Sequence, residues 1–470
     1  MRADSDAPVA SREGVPDRRY FRTPATAPGP SGPQMLRAIR FINRDPLGFL
    51  QSMDRRYGSV VQFPIPSPPS YLVSGPDAVR RVLVSHNRSY DKDTIQYRSL
   101  SLVTGEGLLS TSGTRWREQR RIVQPAFHRD SLDAIGRNAA QAADDLVARW
   151  GDISRGAVID MDEAMMRVAL EVVGRSLLGT DFSRDADRLA RATLHALDVV
   201  VARARVPITP PGWLPTPGSR RLSAAVSELD AAVADMIAAR SASAPGGDML
   251  QLLLNAMDGP DGIDAREVRD EIVSFMVAGH ETVASALMWA WWLVAGAPDV
   301  MEALATEADQ VLADGTPSFD DLERLPMARA VFNEAMRLYP PVWLVTRRAL
   351  HDDVLGDREI PQGALVIMTP YVVQRDPRYW ERPEAFDPTR FLETRGRSAE
   401  DLATFWPFGL GPRMCVGRDF AYVEGVLILA TLARRVRVER LPGQRPPRPQ
   451  AGVTLRPRGA LPLLVRSRHS

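Results

Sequence analysis

A single cysteine, Cys415, stands in a chain of 470 residues. It excludes an intrachain disulfide framework, so the fold must be held by buried apolar packing, and it fits a reducing cytoplasm. A chain this long exceeds the usual single domain but can bury a sizeable core. Composition is ordinary for a soluble globular protein, at 44% hydrophobic and 25% charged. A formal net charge of +1 gives no field suited to nucleic acid or an anionic membrane. The N-terminal stretch has no apolar core and reads as neither a secretory signal nor an anchor. The longest apolar run, Ala286 to Pro298, is short of the ~20 residues of a membrane span. These features predict a cytoplasmic monomer with no membrane anchor and no nucleic-acid partner.

Residues 1–33 are polar and Pro-rich, and are expected to be disordered or wrapped on the surface. Helical spacing runs from Gln34 to Tyr57. Strand-like runs follow at Val60–Phe63 and Tyr71–Val73, then a helical pattern at Asp77–His86. Asp91 to Ser112 reads as a loop whose apolar residues Ile95, Leu100, Leu102, Val103 and Leu108 suit a partly buried lid. Amphipathic helices are expected at Leu132–Arg149, Asp160–Leu178, Asp185–Ala204 and Ser219–Ala242. The Pro-rich Pro207–Pro217 breaks the pattern before the last of these. The longest pattern, Asp264 to Ala295, ends at Gly296 and Pro298. A further helix is expected at Asp320–Leu338, a strand at Ala364–Met368, a helix at Ala421–Arg434, and strands and turns from Val436 to Val465.

The cysteine sits in Phe405–Gly417, FWPFGLGPRMCVG. Gly409, Gly411 and Gly417 permit backbone shapes that side chains block. A soft thiolate in such a loop suits an axial iron ligand; the alternative is a buried, inert thiol. In the long pattern, Gly279 lowers helix stability and permits close approach. The Thr282 hydroxyl can bond a helix carbonyl or a ligand, and Glu281 beside it offers a proton relay. His280 invites a metal-ligand or base reading. Trp116 and Arg120 share a helical face, and both can donate to a carboxylate; the alternative is a solvated basic face. Glu334 and Arg337, three apart, can pair.

Phe408, Gly411, Arg413, Cys415 and Gly417 match, residue for residue, the haem-binding loop of the cytochrome P450 monooxygenases. With Trp116/Arg120, Ala278–Thr282 and Glu334/Arg337 in the right order, the chain resembles that family from about residue 34 to its end. The resemblance implies one mainly α domain over 34–470 with a small β region (α+β), and haem b between the long helix and the cysteine loop. Cys415 would be the metal ligand, with Phe408 near it and Gly411 and Gly417 shaping the loop. Arg413, Trp116, Arg120 and Arg347 would hold the propionates, Arg348 being the near alternative to Arg347. Ala278, Gly279, Glu281 and Thr282 would form the oxygen-activating bend, with His280 a bystander. Val283 replaces a frequent hydroxyl there. Glu334, Arg337 and Arg390 would brace the haem loop; a frequent His nearby is Gln374. Val342, Trp343, Leu344, Val453 and Thr454 would touch substrate. Val200, Val201, Val206, Ile208 and Trp213 would line a roof at the substrate entrance.

The implied reaction inserts one oxygen atom from O2 into a lipophilic small molecule such as a fatty acid, terpenoid, steroid or macrolide-like product. Electrons would come from a separate protein, most simply a ferredoxin with its NAD(P)H-dependent reductase, because one cysteine cannot hold a four-Cys cluster. Arg115, Arg117 and Arg121 are candidates for docking an acidic donor. The rival readings are a peroxide-driven enzyme, disfavoured by the intact Glu281 and Thr282, and a non-catalytic haem sensor, which would need an output domain.

Overall fold

In the computed structural model the long pattern is one helix, Ala265–Val294. Asp264 caps it: its carboxylate accepts the Glu267 N–H, and the Glu267 carboxylate accepts the Asp264 N–H, both at 2.8 Å. From Asp270 to Val294 it is buried all round except at Ala278, Gly279 and Thr282, as expected of a helix at the centre of a large protein. It is the one helix among the described residues long and apolar enough to cross a bilayer, and it is mostly buried inside the fold. The structure describes residues 25–65, 67–182, 186–204, 216–241, 247–259, 262–313, 317–392 and 403–468.

Helices Arg129–Trp150, Met161–Leu177, Pro298–Val311, Pro326–Leu338 and Arg418–Arg435 surround the central helix and share one apolar core with it. Helices Ala186–Ala204 and Pro217–Ser241 pack as a pair on the same core. The connector expected at Pro207–Pro217 falls almost wholly outside the described residues, as do Val206, Ile208 and Trp213. Val200 is buried.

A five-stranded sheet lies beside the helical body, in the order Val60–Phe63, Ser70–Val73, Leu365–Met368, Val345–Ala349, Tyr90–Asp91. Ser70–Val73 and Leu365–Met368 run parallel, and the other pairs are antiparallel. A second sheet joins Ala157–Asp160, Pro462–Ser467 and Val436–Glu439. A hairpin, Pro449–Ala451 with Leu455–Pro457, hooks onto the central helix: the Leu455 carbonyl accepts from Ser285 Oγ at 2.8 Å and Trp289 Nε1 at 2.7 Å.

One expectation is corrected. Asp91–Ser112 is not a plain loop, because Ile95–Thr104 is a helix. It buries Tyr97, Leu100 and Val103 and leaves Ile95 and Leu102 exposed. Its short apolar face is hard to see in sequence, since it lies between turn-forming residues. The described residues 25–33 lie against the five-stranded sheet. Gln62 N–H donates to the Pro28 carbonyl at 2.9 Å, and Thr26 Oγ1 lies 2.7 Å from the Tyr71 hydroxyl. A Cβ at Gly29 would sit 1.9 Å from the Gln62 carbonyl oxygen, so glycine lets the segment lie on the first strand.

Candidate active site

The loop Phe405–Gly417 closes on itself through Cys415 N–H to the Phe408 carbonyl at 2.9 Å. Gly409 and Gly411 take φ of +75° and +67°, where side chains are strained. A Cβ on Gly411 would also come within 2.3 Å of the Leu83 carbonyl oxygen. Gly417 differs. Its φ of −92° is ordinary, and what a Cβ would meet is the Phe127 ring at 3.3 Å. Phe127 in turn packs 5.7 Å from Phe275 of the central helix and 6.2 Å from Phe420. One aromatic ring thus spaces the cysteine loop from that helix.

Cys415 lies deep in the molecule, yet its surface is open. The same holds for Ala278, Gly279 and Thr282 in their otherwise buried helix. Interior residues keep open surface only by lining a cleft, and this one lies between the loop and the helix. Burial pushes the Cys415 thiol pKa up, while the Gly417 N–H and the charges of Arg120 and Lys92 favour the thiolate.

One edge of the cleft is strongly cationic. Arg413 stacks 3.8 Å from the Trp116 ring and donates to the Thr111 carbonyl at 2.9 Å. Arg120 donates to the Met414 carbonyl at 2.8 Å. Arg347 donates to the Thr346 carbonyl at 2.8 Å and the Tyr97 hydroxyl at 3.3 Å. Arg348 is excluded as the alternative, because Asp91 and Asp93 hold it at 2.5 and 2.6 Å. A fourth cation escaped the sequence reading. Lys92 donates to the Leu109 carbonyl at 2.9 Å and lies 4.9 Å from the Tyr97 ring. Burial, then repulsion from Arg347, Arg413 and Arg120, pulls its pKa well below the usual value. A signal was available, since Lys92 is the only lysine in the chain. Burial, followed by the charge of Arg347, pulls Arg413 down to about 10. None of these four cations has a carboxylate partner among the described residues.

On the opposite face, Thr282 Oγ1 donates to the Ala278 carbonyl at 2.7 Å. A Cβ on Gly279 would lie 2.9 Å from Val173 Cγ2, so this glycine also lets helix Met161–Leu177 approach. Burial raises Glu281 to about 7, opposed mainly by Arg456. His280 is fully buried, bonds the Met276 carbonyl through Nδ1 and is pulled down to about 4 by burial. It is neutral, and no cluster of three metal-ligating side chains occurs among the described residues.

The expected brace is assembled. Glu334 and Arg337 are fully buried and joined by two bonds of 2.7 Å, and Arg390 Nε lies 3.4 Å from Glu334 Oε1. Gln374 links this brace to the loop: its amide donates to the Met336 and Arg337 carbonyls, and its oxygen accepts from Trp406 N–H. The expected pocket residues divide. Trp343 and Leu344 pack with the N-terminal apolar cluster, and Trp343 donates to the Gly452 carbonyl at 2.8 Å. Thr454 is buried beside Glu281. Val342 and Val453 keep some open surface. Arg115, Arg117 and Arg121 are all exposed on that helix, and Arg115 is paired with Glu267 at 2.5 Å.

These residues fit a haem b. A sulfur donor faces the cleft, uncompensated cations suit two propionates at one edge, and small uncharged residues line the far wall.

Comparisons agree over nearly the whole chain. A family model described as Cytochrome P450 matches residues 27–463. Cyclooctat-9-en-7-ol 5-monooxygenase of Streptomyces melanosporofaciens is 35% identical, over 94% of this chain and 95% of its own length. Cyclooctatin synthase of the same organism is 34% identical over 95% and 97%. Pentalenene oxygenase of Streptomyces avermitilis is 33% identical over 88% and 91%. A crystal structure of a 6-coordinated cytochrome P450 from Thermus thermophilus superposes with a TM-score of 0.69 at 32% identity, covering 90% of this chain and 98% of that one.

Proposed function

The chain belongs to the cytochrome P450 family, and from that premise we propose that it oxygenates a terpenoid hydrocarbon or alcohol at the Ala278–Thr282 face of the cleft. It is a monooxygenase that uses O2 and haem b on small lipophilic molecules. The narrower substrate class is carried by one observation: the residues of the central helix open to the cleft are Ala278, Gly279 and Thr282, with no charge to anchor an ionic substrate. The names of the relatives, which refer to pentalenene and cyclooctat-9-en-7-ol, support it.

In this reading Cys415 would be the iron ligand, and Arg413, Arg120, Arg347, Lys92 and Trp116 would hold the propionates. The bound haem supplies oxygen activation and one-electron chemistry. An iron bound there would hold Cys415 as the thiolate despite its burial. The cleft wall excludes water and orients an apolar substrate by shape. Thr282 turns its hydroxyl from the Ala278 carbonyl toward the cleft to pass a proton. Glu281, raised to about 7, resupplies it near neutral pH. Electrons come from an acidic ferredoxin served by an NAD(P)H-dependent reductase. It docks beside a hollow of about 400 Å³ whose rim carries Arg117, Arg121 and His128. The lone cysteine and this donor fit a cytoplasmic enzyme.

The test combines two measurements. The reduced protein with carbon monoxide should show the red-shifted Soret band of a thiolate ligand, absent in Cys415→Ala. Cyclic terpenoid hydrocarbons and alcohols should shift the resting Soret band and yield oxygenated products with ferredoxin, reductase and NAD(P)H. A response to fatty acids alone would overturn the substrate assignment, and product formed with peroxide but not with the redox partners would overturn the electron route.

A further inference from the structure

Two of the buried glutamates, Glu334 and Glu281, meet their arginines in opposite ways. Glu334 is gripped by both arms of the Arg337 fork at 2.7 Å. Glu281 is not gripped. Arg456 Nη1 stands 3.9 Å from its Oε1, beyond hydrogen-bond reach. The same guanidinium is spent on Asp162, with Nε at 3.2 Å and Nη2 at 2.6 Å. Thr454 lies close enough to favour the charged form, yet neither its hydroxyl nor Glu281 Oε2 completes a hydrogen bond among the described residues. Buried polar atoms are rarely left in that state.

The charged groups facing Glu281 come from three other elements. Arg456 belongs to the C-terminal hairpin, Asp162 to helix Met161–Leu177 and Asp198 to helix Ala186–Ala204. On its own helix, His280 is neutral. Exposure falls along the row: the side chains of Asp162 and Arg456 are each 16% open, and that of Glu281 is 4% open. The row therefore leads from the partly open end of a helix to the residue beside Thr282.

We propose that Arg456 is a positioning residue for proton delivery: forked onto Asp162, it holds Glu281 by charge alone and leaves that carboxyl free to turn and exchange its proton. The inference rests on Glu281 being the relay. In each cycle the Glu281 carboxylate takes one proton from water at the Asp162 end and gives it up on the Thr282 side, which regenerates the carboxylate. Asp162 works against a tighter grip. With its charge removed, the Arg456 fork can close on Glu281 and lock it as a carboxylate, as Arg337 locks Glu334.

The test is infrared titration of the holoenzyme. The C=O band of protonated Glu281 is identified by its loss in Glu281→Gln. In Asp162→Asn its midpoint should fall by about one pH unit, a tenfold change in the protonation ratio. In Arg456→Gln it should rise by a similar amount, and Arg456→Lys should restore most of the wild-type midpoint. Haem content and the carbon monoxide spectrum check folding, and Asp162→Asn, nearly isosteric, serves if the Arg456 variants do not fold. An unchanged midpoint in Asp162→Asn, or in both Arg456 variants, overturns the role of Arg456. Product formation unchanged in Glu281→Gln overturns the relay reading itself, and the two failures are thereby distinguished.

Discussion

Lys92 is the only lysine of the chain, and its ammonium shares the edge of the cleft with Arg120, Arg347 and Arg413. Like charges gathered without a counter-ion destabilise one another, and a bound dicarboxylate reverses the sign. Lys92→Met should therefore melt no lower than wild type in the haem-free protein while weakening haem retention. The loss should be about 1.5–3 kcal/mol, the worth of a hydrogen bond to a charged group. Haem transfer to an acceptor globin and thermal melts of both forms check this. At this scale the sequence was informative where chemistry is local. Arg413 and Cys415 share one loop, Trp116 and Arg120 one helix, and Glu334 and Arg337 one turn of another. Lys92 was missed because nothing beside it in the chain announces a carboxylate site. Its neighbours there, Arg347 and Arg413, arrive from segments hundreds of residues away.

The central helix shows how one residue can serve two elements. Gly279 borders the cleft, and it also receives Val173 from helix Met161–Leu177. Alanine at 279 gains up to about 1 kcal/mol of helix propensity. It also forces a Cβ to within 2.9 Å of Val173 Cγ2, and overpacking of that kind costs about 1–3 kcal/mol. Gly279→Ala should therefore destabilise the wild type by about 1 kcal/mol but stabilise the Val173→Ala protein. A double-mutant cycle by denaturant unfolding would measure both signs. The helix itself was legible, because its length and the Gly296/Pro298 stop are written in neighbouring residues. The partner that makes Gly279 obligatory was not, since Val173 lies a hundred residues away.

Across the whole molecule, the lid segment is tied to the central helix by acids. Asp270 Oδ2 accepts the Glu106 N–H at 2.8 Å, and Glu271 accepts the Leu108 N–H at 3.0 Å. Burial raises Glu271 from 4.5 to about 7. In the unfolded chain it ionises near 4.5, so its contribution to stability is intact below that pH. The contribution is lost as pH rises from about 4.5 to 7, because the unfolded state releases its proton first. Glu271→Gln should match wild type near pH 4.5 and exceed it at pH 8 by on the order of 3 kcal/mol, since each pH unit separating the folded and unfolded pKa is worth about 1.36 kcal/mol. Stability curves at the two pH values check this. What the sequence determined by itself was chemistry carried on short spans: a thiol in a glycine-bent loop, a hydroxyl and an acid on one helix turn, an acid–base pair three residues apart. Spacing along the backbone sets those contacts. The tertiary structure alone decided which charges are left unpaired and which are locked. Arg348 is neutralised by Asp91 and Asp93 while Arg347 is not, and Arg456 is drawn onto Asp162 and stands off from Glu281. Such outcomes depend on which distant carboxylates reach each buried group, and that is fixed only when the core is packed.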